Sequence, residues 1–152
     1  MLERLFPRVA DNHYPGQRVG LWLLWIMLLK IPMGVNVMLN APQVARTADG
    51  VPLDTFGSAG AAAFLFAFAA WGLCQLVLGL LCLIVLLRYR SLASLAFLAL
   101  LVEQFGRMAL RSYWPIERIA APGAAINMAL AGIMLVGFLL SLWRPRSGSA
   151  GA

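Results

Sequence analysis

Charge and metal-binding side chains are both scarce in this sequence. Only 12% of its 152 residues are Asp, Glu, Lys or Arg, while 62% are hydrophobic. A soluble domain carries roughly a quarter charged residues, so this composition cannot clothe a water-facing surface and excludes an ordinary soluble fold. The single histidine, His13, lies in the polar N-terminal segment, which excludes a haem held by paired histidines inside a bundle. The two cysteines, Cys74 and Cys82, share one apolar run and stand ~12 Å apart along a helix, too far for a disulfide between them. With no CxxC and no Cys/His metal spacing, neither haem nor metal is expected, and both thiols read as buried and inert. Hydrolase, zinc-protease, P-loop and dinucleotide fingerprints are missing. No repeat is visible, and the length allows a single membrane domain over 1–152.

What is present is four long apolar runs, over about 19–39, 58–87, 91–114 and 121–143. Each has the ~20 residues a helix needs to cross a hydrocarbon layer about 30 Å thick. The fold class that follows is all-α and integral to a membrane, a bundle of four transmembrane helices. The first run continues past Lys30 to Leu39, longer than a signal-peptide core, so it reads as a retained span. The second is long enough to tilt or project, and its SAGAAAFLFAFAAWG start offers small residues for close helix approach. Gly72, Gly79, Gly132 and Gly137 are expected at helix contacts, and Trp22, Trp25, Trp71, Tyr113, Trp114 and Trp143 as interfacial anchors or packing elements.

The connecting segments give a direction. Arg4, Arg8 and Arg18 in the N-terminal arm, Arg88 and Arg90 in the second link, and Arg144 and Arg146 in the tail belong to one side, against Glu3 and Asp11. Arg46, Asp49, Asp54, Glu117 and Arg118 belong to the other. Positive-inside counting puts both termini in the cytoplasm. The net charge of +6 therefore reads as an orientation signal rather than a nucleic-acid footprint. The segment NAPQVARTADGVPLDTFG has the turn residues and the length to fold over the bundle mouth. YWPIERIAAPG is expected to hold a short interfacial helical piece. The tail over 145–152 reads as flexible.

Against this background VEQFGRMALRSYW, residues 102–114, is out of place, because a charge at the bilayer centre costs at least ~2.5–3.5 kcal/mol. Counted from the cytoplasmic edges at ~1.5 Å per residue, Lys30, Gln75 and Glu103 reach one level ~16–18 Å deep. Asn36, Arg107 and Asn127 form a second level at ~24–26 Å, with Arg111 beyond it. Glu103, Arg107 and Arg111 follow each other at i, i+4 and lie on one stripe. Turned inward, that stripe pairs Glu103 with Lys30 or Arg107 and leaves the outer arginines lining a polar vestibule. Cations exceed carboxylates there, so an anionic headgroup, carboxylate or phosphate would balance it. These seven residues are the candidate ligand-binding or proton-handling set. Their bland alternative is snorkelling arginines and interhelical amide bonds worth ~0.6 kcal/mol each.

Over QLVLGLLCLIVLLRYRSLASLAFLALL, residues 75–101, and in Arg18 and Lys30 flanking the first span, the chain resembles the DoxX-like group of small bacterial membrane proteins. It departs from that pattern at Gln75, where an acidic residue is usual, and keeps only Gly79 of a glycine pair. The resemblance implies a four-helix inner-membrane bundle, sometimes a partner of quinone-linked oxidoreductases. The leading expectation is a non-catalytic inner-membrane protein, a subunit of a larger complex or a homo-oligomer. Its polar pocket would take a lipid, quinone or similar amphiphile, and its partners would be membrane lipid and other membrane subunits or itself, not nucleic acid. Transport of a proton or small anion is the first alternative, and a lipid- or quinone-modifying enzyme the second.

Overall fold

The computed structural model describes residues 2–143, and the tail over 145–152, with Arg144 before it, lies outside the described residues. Among the described residues the secondary structure is entirely helical. Four helices are long and apolar enough to span a membrane: Arg18–Leu39, Ser58–Arg88, Arg90–Tyr113 and Gly123–Leu142. The expected runs match these within two or three residues. The architecture is that of a multi-pass membrane protein.

A short helix α1 (Leu2–Leu5) precedes the first span, which is itself in two parts. α2 (Arg18–Ile26) gives way to a 3₁₀ turn at Met27–Leu29, and α3 (Lys30–Leu39) continues from it. Pro32 accounts for the break: it has no N–H for the carbonyl of Leu28, and its ring crowds that carbonyl. The two halves then take different neighbours. α2 lies mainly against α7 (Gly123–Leu142), whereas α3 runs along α5 (Ser58–Arg88). α6 (Ala93–Tyr113) packs on α7 and, less closely, on α5.

The α3–α5 seam is tight because glycines remove side chains from it. A Cβ on Gly34 would stand 2.6 Å from the Gly72 carbonyl oxygen, and one on Gly79 would stand 2.6 Å from Ile31. Gly137 gives way to the ring of Phe97 in the α6–α7 seam. Gly132, expected at a contact, has nothing within 4 Å of where its Cβ would be. The small residues opening α5 also face outward: Ala59, Gly60, Ala62 and Ala63 are exposed rather than seated in a seam. Trp22 and Trp25 lie on the bundle surface, and Cys74 is exposed while Cys82 is buried. One half of the interior is filled by Leu24, Met27, Leu86, Phe97, Leu100, Leu130 and Met134.

The connecting segments sort to two ends. Asp11 and Ser91 exchange three hydrogen bonds of 3.0–3.3 Å, and the Gln17 N–H donates to Leu140 O at 3.1 Å. The N-terminal arm, the α5–α6 turn and the end of α7 therefore meet at one end. At the other, Ile119 N–H donates to Gly50 O and Gly123 N–H to Ala48 O, both at 2.8 Å. Gly50 takes a left-handed φ of 65°, and Ile119 O fills the place of its absent side chain. Part of the 40–57 segment is helical where turns were expected. α4 (Ala41–Thr47) forms with Pro42 in its first turn, and Ala45, Val51 and Leu53 fold inward onto Phe68. The segment after Trp114, by contrast, forms no helix, being bracketed by Pro115 and Pro122 and tied to Gly50 instead.

Candidate functional site

Because the first long helix passes from α7 to α5 at its break, the half of the molecule away from the N-terminal arm consists of two helix pairs, α3–α5 and α6–α7. A polar network crosses between them at mid-height. Lys30 Nζ, 2% exposed, donates to Glu103 Oε2 at 2.9 Å. Glu103 Oε1 accepts from Trp71 Nε1 and from Arg107 Nε, each at 3.1 Å. Arg107 Nη2 donates to Gln104 Oε1 and, at 3.4 Å, to Asn127 Oδ1. Gln104 Nε2 reaches Asn127 O at 3.1 Å, and Asn127 Nδ2 returns to Gly123 O at 2.8 Å. The Arg107 guanidinium also lies over the Trp71 ring, 4.6 Å from its centroid. One carboxylate thus bridges two cations, leaving one positive charge over, and all four long helices contribute.

The level argument is met for Lys30, Glu103, Arg107 and Asn127. Gln75 is buried on the stripe of Gly72 and Gly79, yet its Nε2 has no hydrogen-bond partner among the described residues. Asn36 is exposed and accepts from Asn40 Nδ2 at 2.8 Å, apart from the network. Depth alone does not reveal azimuth: six residues beyond Lys30, Asn36 is turned ~120° round the helix. Arg111 does not pair with Arg107's partners and projects further out. Trp71, Gln104 and Arg118 belong to the site but not to the seven candidate residues. Trp71, ~24 Å from Leu87 along its helix, stands at the level of Arg107, so the same counting would have found it.

Above the network, between α5, α6 and α7, lies a cleft of about 500 Å³. Phe64, Phe68, Trp71, Met108 and Met128 form much of its wall, with Arg107, Asn127 and Gln104 at its floor and Arg111, Arg118 and Asp49 at its mouth. A second lobe of about 350 Å³, beside the segments that meet at Gly50 and Ile119, shares Asp49, Arg111, Arg118 and Ala124 with the first. Arg118 Nη1 meets Asp49 Oδ1 at 3.4 Å. Burial holds the Arg118 guanidinium below its usual pKa; Asp49 opposes that shift, while Arg111 and Arg107 add to it. The cleft thus brings three guanidiniums, those of Arg107, Arg111 and Arg118, near one carboxylate, that of Asp49. The chain matches no family model, no curated protein and no solved structure.

Proposed function

We propose that this chain is a non-catalytic multi-pass protein of the bacterial inner membrane whose vestibule holds an amphiphile. It acts as a subunit of a larger membrane complex or as a homo-oligomer. The observation that carries the reading is the two-part character of the cleft. An aromatic and aliphatic wall suits a hydrocarbon tail, and a guanidinium mouth suits a polar headgroup, within the size range of ligand sites. A small-anion or proton pathway is supported less well, because below Lys30 the bundle is filled by Leu24, Met27, Phe97 and Leu100. The basic end carries Arg8, Arg18, Arg88 and Arg90, and positive-inside counting puts it, and both termini, in the cytoplasm. The basic turn between two long helices supports kinship with the DoxX-like group, and outward-facing Gly60 and Gly132 support contacts with another membrane chain.

Native mass spectrometry of protein gently extracted from its own membrane, with identification of bound small molecules, tests the reading. A co-purifying lipid or quinone is expected, and Ala124→Phe, which fills the junction of the two lobes, should lose it. Protein that emerges bare, or a ligand untouched by the filling variant, would overturn the proposal.

A further inference from the structure

The three guanidiniums of the vestibule are not equivalent. Arg107 is committed: its Nε and Nη2 are held by Glu103, Gln104 and Asn127, and its face by Trp71. Arg111 lines both lobes and makes no hydrogen bond or ion pair with any described residue. Arg118 has one long contact, to Asp49 at 3.4 Å, and its Nε is buried without a partner. Lys30 and Glu103 cancel beneath the floor, so the lining carries three formal positive charges against the one of Asp49, an excess of two. Two guanidinium forks with free donors, facing a common neck, match the oxygens of a phosphate better than a single carboxylate does. A phosphomonoester carries about −1.5 to −2 charge at neutral pH, which balances that excess.

We infer that the neck between the two lobes is a phosphate site, with Arg111 and Arg118 as ligands and Asp49 as an internal stand-in that occupies Arg118 until the anion arrives. The inference rests on the amphiphile reading for its preferred source, a lipid phosphomonoester whose tail lies along Phe64 and Phe68.

The test is a titration of the full chain in neutral detergent by native mass spectrometry. The probes are short-chain phosphatidic acid, short-chain phosphatidylcholine and inorganic phosphate. Phosphatidic acid should bind at least ~10-fold tighter than phosphatidylcholine, and Arg111→Ala or Arg118→Ala should each weaken it ~10-fold or more. Asp49→Asn should tighten it, by ~3–10-fold, because a competing charge is gone. Arg46→Ala removes an equal charge at the same end, outside the cleft, and should change nothing. Arg111 is exposed and unbonded, so its variant keeps the fold. Equal binding of both lipids, indifferent to Arg111→Ala, overturns the phosphate site and leaves the amphiphile reading standing. Inorganic phosphate that competes as well as phosphatidic acid upholds the phosphate site and overturns the lipid source. Binding of none of the probes overturns both. A loss in Arg46→Ala equal to that in Arg118→Ala would reduce the effect to bulk charge and overturn the site.

Discussion

Replacing Glu103 by glutamine should damage this protein more than replacing its cation partner. Lys30 has one hydrogen-bonded or ionic partner among the described residues, Glu103, and is 2% exposed. In Glu103→Gln the ammonium loses its counter-charge in a place water does not reach. Breaking a buried pair from that side costs about 3–5 kcal/mol, and Arg107 loses a charged acceptor as well. Lys30→Met is different, because Glu103 keeps Arg107 Nε and Trp71 Nε1, both at 3.1 Å. Its cost is one charge-assisted hydrogen bond, about 1.5–3 kcal/mol. The double variant removes both buried charges, so it should be more stable than Glu103→Gln alone by ~1 kcal/mol or more. Equilibrium unfolding of the four proteins by SDS in mixed micelles, followed by circular dichroism, gives the cycle directly. If Glu103→Gln proves no costlier than Lys30→Met, or if the second substitution deepens the loss, the ammonium does not depend on this carboxylate and the reasoning fails.

Other consequences can be checked with simpler measurements. Gly34→Val drives a side chain into the Gly72 carbonyl and should cost about 1–3 kcal/mol in the same unfolding assay, whereas Gly132→Ala should stay within about 0.5 kcal/mol. Gln75→Met removes a buried amide with an unpaired Nε2 and should be neutral or stabilising by ~1 kcal/mol; a marked loss would reveal a partner for that group. Trp71→Phe keeps an aromatic ring but deletes the N–H that Glu103 accepts, and should lower stability by ~1 kcal/mol. For topology, Thr55→Cys and Arg90→Cys can be built in a background freed of Cys74 and Cys82. A membrane-impermeant maleimide applied to intact cells should label the first and spare the second, and the reverse pattern would invert the orientation.

The spans were legible because twenty apolar residues leave a chain few options, and the Lys30–Glu103 level followed from rise per residue alone. Direction around each helix was not legible in the same way. Asn36 shares a depth with Arg107 but is turned away from it, and Gly132 looks like Gly72 until the neighbouring helix is placed. Arg118 was hidden for another reason: it sits in an irregular segment whose position depends on Gly50 and Ile119 meeting at the end of the bundle away from the N-terminal arm. Arg111 stood out by sequence, but its isolation from other side chains is a property of the assembled cleft. Pro32 explains the break in the first long helix, but nothing in the sequence reveals that the two halves take different partners.

That choice bears on how the chain is made. The first span rests half on α5 and half on α7, and Lys30 lies 73 residues ahead of Glu103. At translation rates of ~5–20 residues per second, the ammonium of a chain inserted as proposed would enter the membrane roughly 4–15 s before its counter-charge is synthesised. Throughout that interval the nascent helix would be a poor resident of hydrocarbon, in need of a polar neighbour to hold it. A ribosome stalled between the second and third spans would leave a fragment carrying its own mark of incompleteness.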